Sequence, residues 1–233
     1  MTVTVGDIML WAVLPYVAMI LCIAGHIWRY RRDQFGWTSR STQLLERRWL
    51  AWGSNLFHFG ALGAIGGHVL GIVVPEDLTS ALHVSEPAYR ALAAGAGSLT
   101  GIACLAGLVI LAVRRLRFPR LRSTTTATDV VVFVLLFLII GMGMVETLGV
   151  ETFGAGYDYR LTVSVWFRGL FIFDLKPALM ATVPHLYQAH AITAWALIAI
   201  WPFTRLVHAW SVPWQYIGRP YILYRRRYAA SRR

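Results

Sequence analysis

The chain contains five apolar runs of about 20 residues each, the length an α-helix needs to cross the hydrocarbon core of a bilayer. They extend roughly from Ile8 to Trp28, Leu50 to Val74, Ala91 to Val113, Val130 to Leu148 and Ala181 to Val207. In lipid, every backbone N–H and C=O must be satisfied inside the spanning structure, which leaves helices or a closed β-barrel. The runs are continuous, without the short alternating segments of a barrel, so they predict an all-α integral membrane protein of five transmembrane helices. Composition agrees: 14% of the 233 residues are charged, against roughly 25% in an ordinary soluble domain. The first run lacks a basic leader and a small-residue cleavage site, and is expected to be a retained helix.

Direction through the membrane follows from the arginines. If the runs alternate, most of the 22 Lys+Arg fall on one side, between residues 29 and 48, between 114 and 122, and from Arg205 onward. The other side carries Asp7, Glu76, Asp77, Glu86, Glu146, Glu151, Asp158 and Asp174. The positive-inside rule then places the N-terminus outside and the C-terminus in the cytoplasm of a multi-pass cell-membrane protein. The net charge of +11 is read as topology, because the basic residues are separated by apolar runs and form no single basic face. No nucleic-acid partner is expected. Residues 1–213 make up the membrane domain, and residues 214–233 a basic aromatic tail suited to anionic lipid headgroups or to a cytoplasmic subunit. The connection between the fourth and fifth runs, about 149 to 180, is long enough to predict an outer cap or short interfacial helix.

Histidine is costly inside a membrane, and each one there is a functional candidate. Of the seven, His58 and His68 fall in the second run and His190 and His208 in the fifth. His26 closes the first run, His83 lies in an outer loop, and His185 just precedes the fifth run. His58 and His68 are separated by about 15 Å of helix, and His190 and His208 by about 27 Å, or five whole turns, which puts the latter two on one helix face. The second run goes outward and the fifth inward. His58 is therefore expected opposite His208 near the inner face, and His68 opposite His190 near the outer.

Two imidazoles at a site with no open position suit axial ligation of haem iron for electron transfer. Structural or proton-relay histidines are the competing reading of the spacing. The two rises differ by about 12 Å, which helix tilt or a kink at Pro202 must absorb. His185 lies about 34 Å of helix from His208 and off its face, and neither it nor His26 or His83 is assigned to iron. Zinc would need a close cluster of four N or S ligands. Cys22 and Cys104, each within an apolar run, supply neither a disulfide framework nor an iron–sulfur site. Gly63, Gly67 and Gly71 recur every four residues, a pattern that lets a helix or a flat cofactor approach closely.

Four segments carry a family resemblance: SNLFHFG (Ser54 to Gly60), GGHVLG (Gly66 to Gly71), RSTTTATD (Arg122 to Asp129) and WPFTRLVHAWSVP (Trp201 to Pro213). Together they resemble the gamma subunit of respiratory nitrate reductase over nearly the whole chain, and the loop with GYDYR and WFRG looks actinobacterial. The resemblance implies a membrane anchor and dihaem cytochrome b that oxidises quinol (menaquinol or ubiquinol) at the outer face. Electrons would pass to an iron–sulfur beta subunit and a molybdenum alpha subunit on the cytoplasmic side. Carried over by motif, His58 and His208 would hold the inner haem b, and His68 and His190 the outer. The segment VPHLYQAHAITAW around His190 departs from the family pattern, and Ala88 stands where well-known members have a quinol-pocket lysine. Arg90 is the nearest cation, so Gly67, His68 and Arg90 are the expected quinol-pocket residues. A related dihaem cytochrome b of a heterodisulfide-reductase-like or sulfite-reduction complex is the alternative within the class. A haem-free scaffold or transporter is the alternative outside it.

Overall fold

The computed structural model describes residues 3–211 and 218–220. Among them every regular element is helical. In chain order these are α1 (Val5–Arg32), α2 (Arg48–Val73), α3 (Glu76–Ala81), α4 (Glu86–Arg117), α5 (Pro119–Arg122), α6 (Ala127–Thr152), α7 (Val163–Phe171), α8 (Pro177–Ala181) and α9 (His185–Ile200). Two 3-10 stretches, Trp201–Phe203 and Arg205–Trp210, follow α9. Helices α1, α2, α4 and α6 are long and apolar enough to cross a membrane. Their flanks expose large apolar side chains such as Ile20, Phe59, Leu99 and Leu138, a surface suited to lipid. The chain is thus a multi-pass membrane protein. Apart from residues 218–220, the tail expected at 214–233 lies outside the described residues.

The fifth apolar run behaves differently. Helix α9 has 16 residues and stops two residues before Pro202, whose ring cannot continue the backbone ladder. Thr204 is then extended, with φ −117° and ψ 178°, between the two 3-10 stretches. Arg29, 3% exposed near the end of α1, reaches into this break. It donates to the carbonyl oxygens of Pro202 (2.6 Å), Thr204 (2.9 Å) and Gly36 (2.6 Å). The expectation that His190 and His208 share one face of a single helix, kinked at Pro202, is corrected accordingly. A helix, a break and a tighter turn separate them, and this absorbs the mismatch in rise.

Helix α2 lies along α4, α4 along α6, α6 along α9, and α9 along α1. The seam between α2 and α4 is made by glycine. A Cβ on Gly60 would strike the backbone of Cys104, and one on Gly107 the backbone of Phe57, while Gly53 faces the Ile110 and Leu111 side chains. Of the glycines in four-residue register, Gly63 meets Thr100 and Gly71 meets Tyr159, but Gly67 has nothing within 4 Å. Gly60→Ala should therefore cost about 1–3 kcal/mol, because backbone cannot give way as a side chain can. The thermal midpoint of the purified protein should fall clearly below that of Gly67→Ala, which should remain near wild type. Equal midpoints would show that this seam does not hold the pair.

The long connection forms a cap. Helix α7 crosses the N-terminal end of α1 and the C-terminal end of α2, where the last carbonyls of α2 have no further turn to bond them. Ser164 Oγ donates to Gly71 O (2.8 Å) and the Arg168 guanidinium to Ile72 O (3.0 Å). The Trp166 indole donates to Trp11 O (2.7 Å) and stands edge-on to the Trp11 ring at 5.8 Å. Leu170, Met180, Val183 and Tyr187 complete a buried core beneath the cap.

Candidate functional site

The rings of His58 and His208 lie with centroids 6.0 Å apart and planes at 70°. Those of His68 and His190 repeat this arrangement, at 6.0 Å and 69°. Both expected pairs therefore meet across the space between α2 and the last run. Nδ1 of His58 sits 2.7 Å from Ser54 O, that of His68 2.7 Å from Ala64 O, and that of His208 2.6 Å from Arg205 O. A carbonyl oxygen can only accept, so in each case Nδ1 carries the proton and Nε2 the lone pair. Nδ1 of His190 faces Glu146 Oε2 at 2.8 Å, with the same consequence when the acid is a carboxylate.

In each pair, two lone-pair nitrogens have no hydrogen bond to make with one another. Two metal–imidazole bonds of about 2 Å each, plus two ring-centre offsets of about 1 Å, span about 6 Å. That matches the observed separation. Among the described residues, no group of three or more His, Cys, Asp or Glu side chains gathers as a metal site. Each pair thus offers two ligands and leaves the rest of the coordination to another donor.

The His58–His208 pair borders a cavity of about 450 Å³, within the range of small-molecule and cofactor sites. Leu108, Leu111, Phe133 and Leu136 give it an apolar wall, and Arg40, Arg47, Arg114, Arg115 and Arg205 make it basic. Two of these arginines are pinned by Asp129, itself 2% exposed. Arg205 forks onto Asp129 with both contacts at 2.7 Å, and Arg115 reaches it at 3.2 Å. The same carboxylate accepts from the Thr126 N–H, closing a capping box at the start of α6. Arg114 is held to the loop between α1 and α2 by Glu46 (2.6 Å) and Thr42 (3.0 Å). Hydrogen bonds from Arg114 and from the Trp49 and Leu50 N–H groups outweigh burial and hold the Glu46 carboxyl below its ordinary range.

Beside the His68–His190 pair, Gly143 brings α6 close to His190: a Cβ there would come within 3.1 Å of His190 Cε1. Arg90 is engaged by Glu86 (2.9 Å) and Asp158 (3.8 Å), and lines a separate cavity of about 80 Å³ with Tyr89, Glu151 and Tyr157. Neither Gly67 nor His68 lines that cavity, so the three expected pocket residues are not gathered in one place. The nearby Tyr89 ring lies under the Arg160 guanidinium at 4.0 Å and its hydroxyl meets that of Tyr159 at 3.1 Å. His185 opens α9 and is exposed, and His83 sits in a left-handed turn with φ 59°. His26 stands edge-on to Trp37 and Trp210 at the inner end.

Sequence reasoning missed Glu146 and Asp129. Glu146 counts there only as an outer-side acid, and Asp129 only as part of a family motif. The available signal was an acid within, or at the first turn of, an apolar run.

A family model described as nitrate reductase gamma subunit matches residues 7–227. The chain is 44% identical over 219 residues to the nitrate reductase gamma chain of Bacillus subtilis, covering 94% of this chain and 97% of that one. It is 32% identical over 217 residues to the respiratory nitrate reductase 1 gamma chain of Escherichia coli, covering 93% and 96%. It is also 46% identical over 226 residues to the nitrate reductase-like protein NarX of Mycobacterium tuberculosis, covering 95% of this chain and 35% of that longer one.

Proposed function

The chain belongs to the nitrate reductase gamma subunit family, and from that premise we propose that it is the quinol-oxidising dihaem cytochrome b of a nitrate reductase complex. In this reading α9 and the 3-10 stretches make a fifth crossing, with the N-terminus outside and the C-terminus cytoplasmic. His58 and His208 hold an inner haem b, and His68 and His190 an outer one. Bound there, the haems would supply one-electron relays between a two-electron donor and the soluble subunits.

The observation that carries this reading is the repeated 6.0 Å ring separation in the two pairs. Three features of the chain fit a haem. The cavity wall beside the inner pair is apolar like a macrocycle, and its arginines suit carboxylate side groups. The Nδ1 hydrogen bonds fix each ring in the tautomer that leaves Nε2 free to ligate. Gly67 borders open space beside His68, which favours approach of a flat quinol ring at the outer end. Arg90, engaged by acids in its own cavity, contributes charge at that end.

Iron–sulfur beta and molybdenum alpha subunits would take the electrons at the basic cytoplasmic face. Purifying the complex from membranes tests the proposal. The expected result is two low-spin haems per chain, with iron–sulfur and molybdenum subunits co-purifying. A colourless protein overturns the cytochrome reading, and two haems with a different soluble partner overturns the nitrate assignment.

A further inference from the structure

The four paired histidines are not equivalent in what their Nδ1 atoms face. His58, His68 and His208 face neutral backbone carbonyls. His190 faces the carboxylate of Glu146 at 2.8 Å, with both side chains largely buried, at 12% and 14% exposure. The second oxygen, Glu146 Oε1, is buried and has no hydrogen-bond partner among the described residues. The carboxylate of Glu151, further along α6, is turned elsewhere, to the Tyr157 N–H and the Tyr187 hydroxyl. Glu146 sits in the π-helical turn Val145–Thr152, a local rewinding of the kind often found at functional sites. The inner pair has the opposite surroundings, with Arg205, Arg114 and Arg115 beside its cavity.

We propose that Glu146 is the positioning residue of the outer site: its carboxylate accepts a hydrogen bond from His190 Nδ1–H, fixes the ring and makes Nε2 more electron-donating than in the other three histidines. The inference rests on the dihaem reading above. A carboxylate behind a ligating imidazole raises the ligand's basicity, and a more basic ligand beside a buried negative charge favours the oxidised state of iron. Glu146 would therefore hold the outer haem at a lower potential than a neutral acceptor would. With arginines around the inner pair, the fixed charges of this chain favour an electron on the inner side.

Redox titration of the purified complex, followed by haem absorbance, tests this in wild type, Glu146→Gln and Glu151→Gln. Glutamine keeps an acceptor and removes the charge. Glu146→Gln should raise the potential of the outer-haem wave while the inner wave and the haem content of two per chain stay unchanged. Glu151→Gln should move that wave less. An unmoved outer wave in Glu146→Gln, or an equal shift in Glu151→Gln, overturns the inference alone. Fewer than two haems in wild type overturns the dihaem reading and this inference with it.

A second measurement does not depend on the variants. Because the two pairs have nearly equal ring angles, 70° and 69°, ligand basicity should separate their low-spin electron paramagnetic resonance signals in the wild-type protein. Two indistinguishable signals also overturn the inference.

Discussion

His68→Ala should remove one of the two haems and reduce quinol-driven nitrate reduction to background, while an artificial donor to the soluble subunits still supports turnover. His190→Ala should do the same, because in the proposed site the two rings act as a pair. His58→Ala or His208→Ala should remove the other haem and leave the outer one spectroscopically intact. The separation follows from the structure: the members of each pair are 6.0 Å apart at their ring centroids, while His58 and His68 stand about 15 Å apart along one helix. His185→Ala should leave both haems in place, since His185 is exposed at the start of α9. Haem content and difference spectra of the five purified variants decide the matter. Retention of both haems in all four paired-histidine variants would sink the ligand assignment. Normal quinol oxidation by His68→Ala would move the quinol site to the inner end.

Asp129→Ala should be the most destabilising single change at the inner end. The wild-type carboxylate is 2% exposed and faces Arg205 and Arg115. Removing it leaves buried Arg115 and half-buried Arg205 without their counter-charge, a loss of about 3–5 kcal/mol. Arg205 also presents the carbonyl that orients His208, so haem should be lost from the inner site before the outer. Asp129→Asn, which keeps an acceptor for the Thr126 N–H, should fall between Ala and wild type. Thermal midpoints and haem content of the purified complexes read both effects. An Ala variant with wild-type midpoint and both haems would show that the two arginines find other partners.

The apolar runs, and the antiparallel placement of His58 and His68 against His208 and His190, were legible because run length and helical rise are local properties. The rings of both pairs come together, but only with the break after Ile200 taking up the difference between the two rises. The break after Ile200 was legible only as a kink, since Pro202 signals an interruption but says nothing of Arg29, more than 170 positions away, capping the freed carbonyls. Spacing pointed to Gly63, Gly67 and Gly71; of these Gly63 does join the seam, against Thr100, beside Gly53, Gly60 and Gly107, while Gly71 packs against Tyr159 and Gly67 takes no part. Which glycine faces a neighbour depends on where α4 lies around α2, and one helix's own sequence does not contain that information. Glu146 was hidden for a similar reason: near the end of an apolar run an acid reads as topology until the opposing helix is in place.

The histidines of each pair lie far apart in the order of synthesis. His190 is made about 120 residues after His68, which at ribosomal rates of about 5–20 residues per second is a delay of roughly 6–24 s. During that interval α2 and α4 can already close along their glycine seam, with His58 and His68 lacking their counterparts. Neither pair can form until its member on the last run has been made, and the His58–His208 pair also waits for the break at Pro202 to be seated on Arg29. On the proposed dihaem reading, haem loading is therefore confined to the end of biogenesis, and a chain truncated before residue 208 cannot complete the His58–His208 pair, however well its earlier helices have packed.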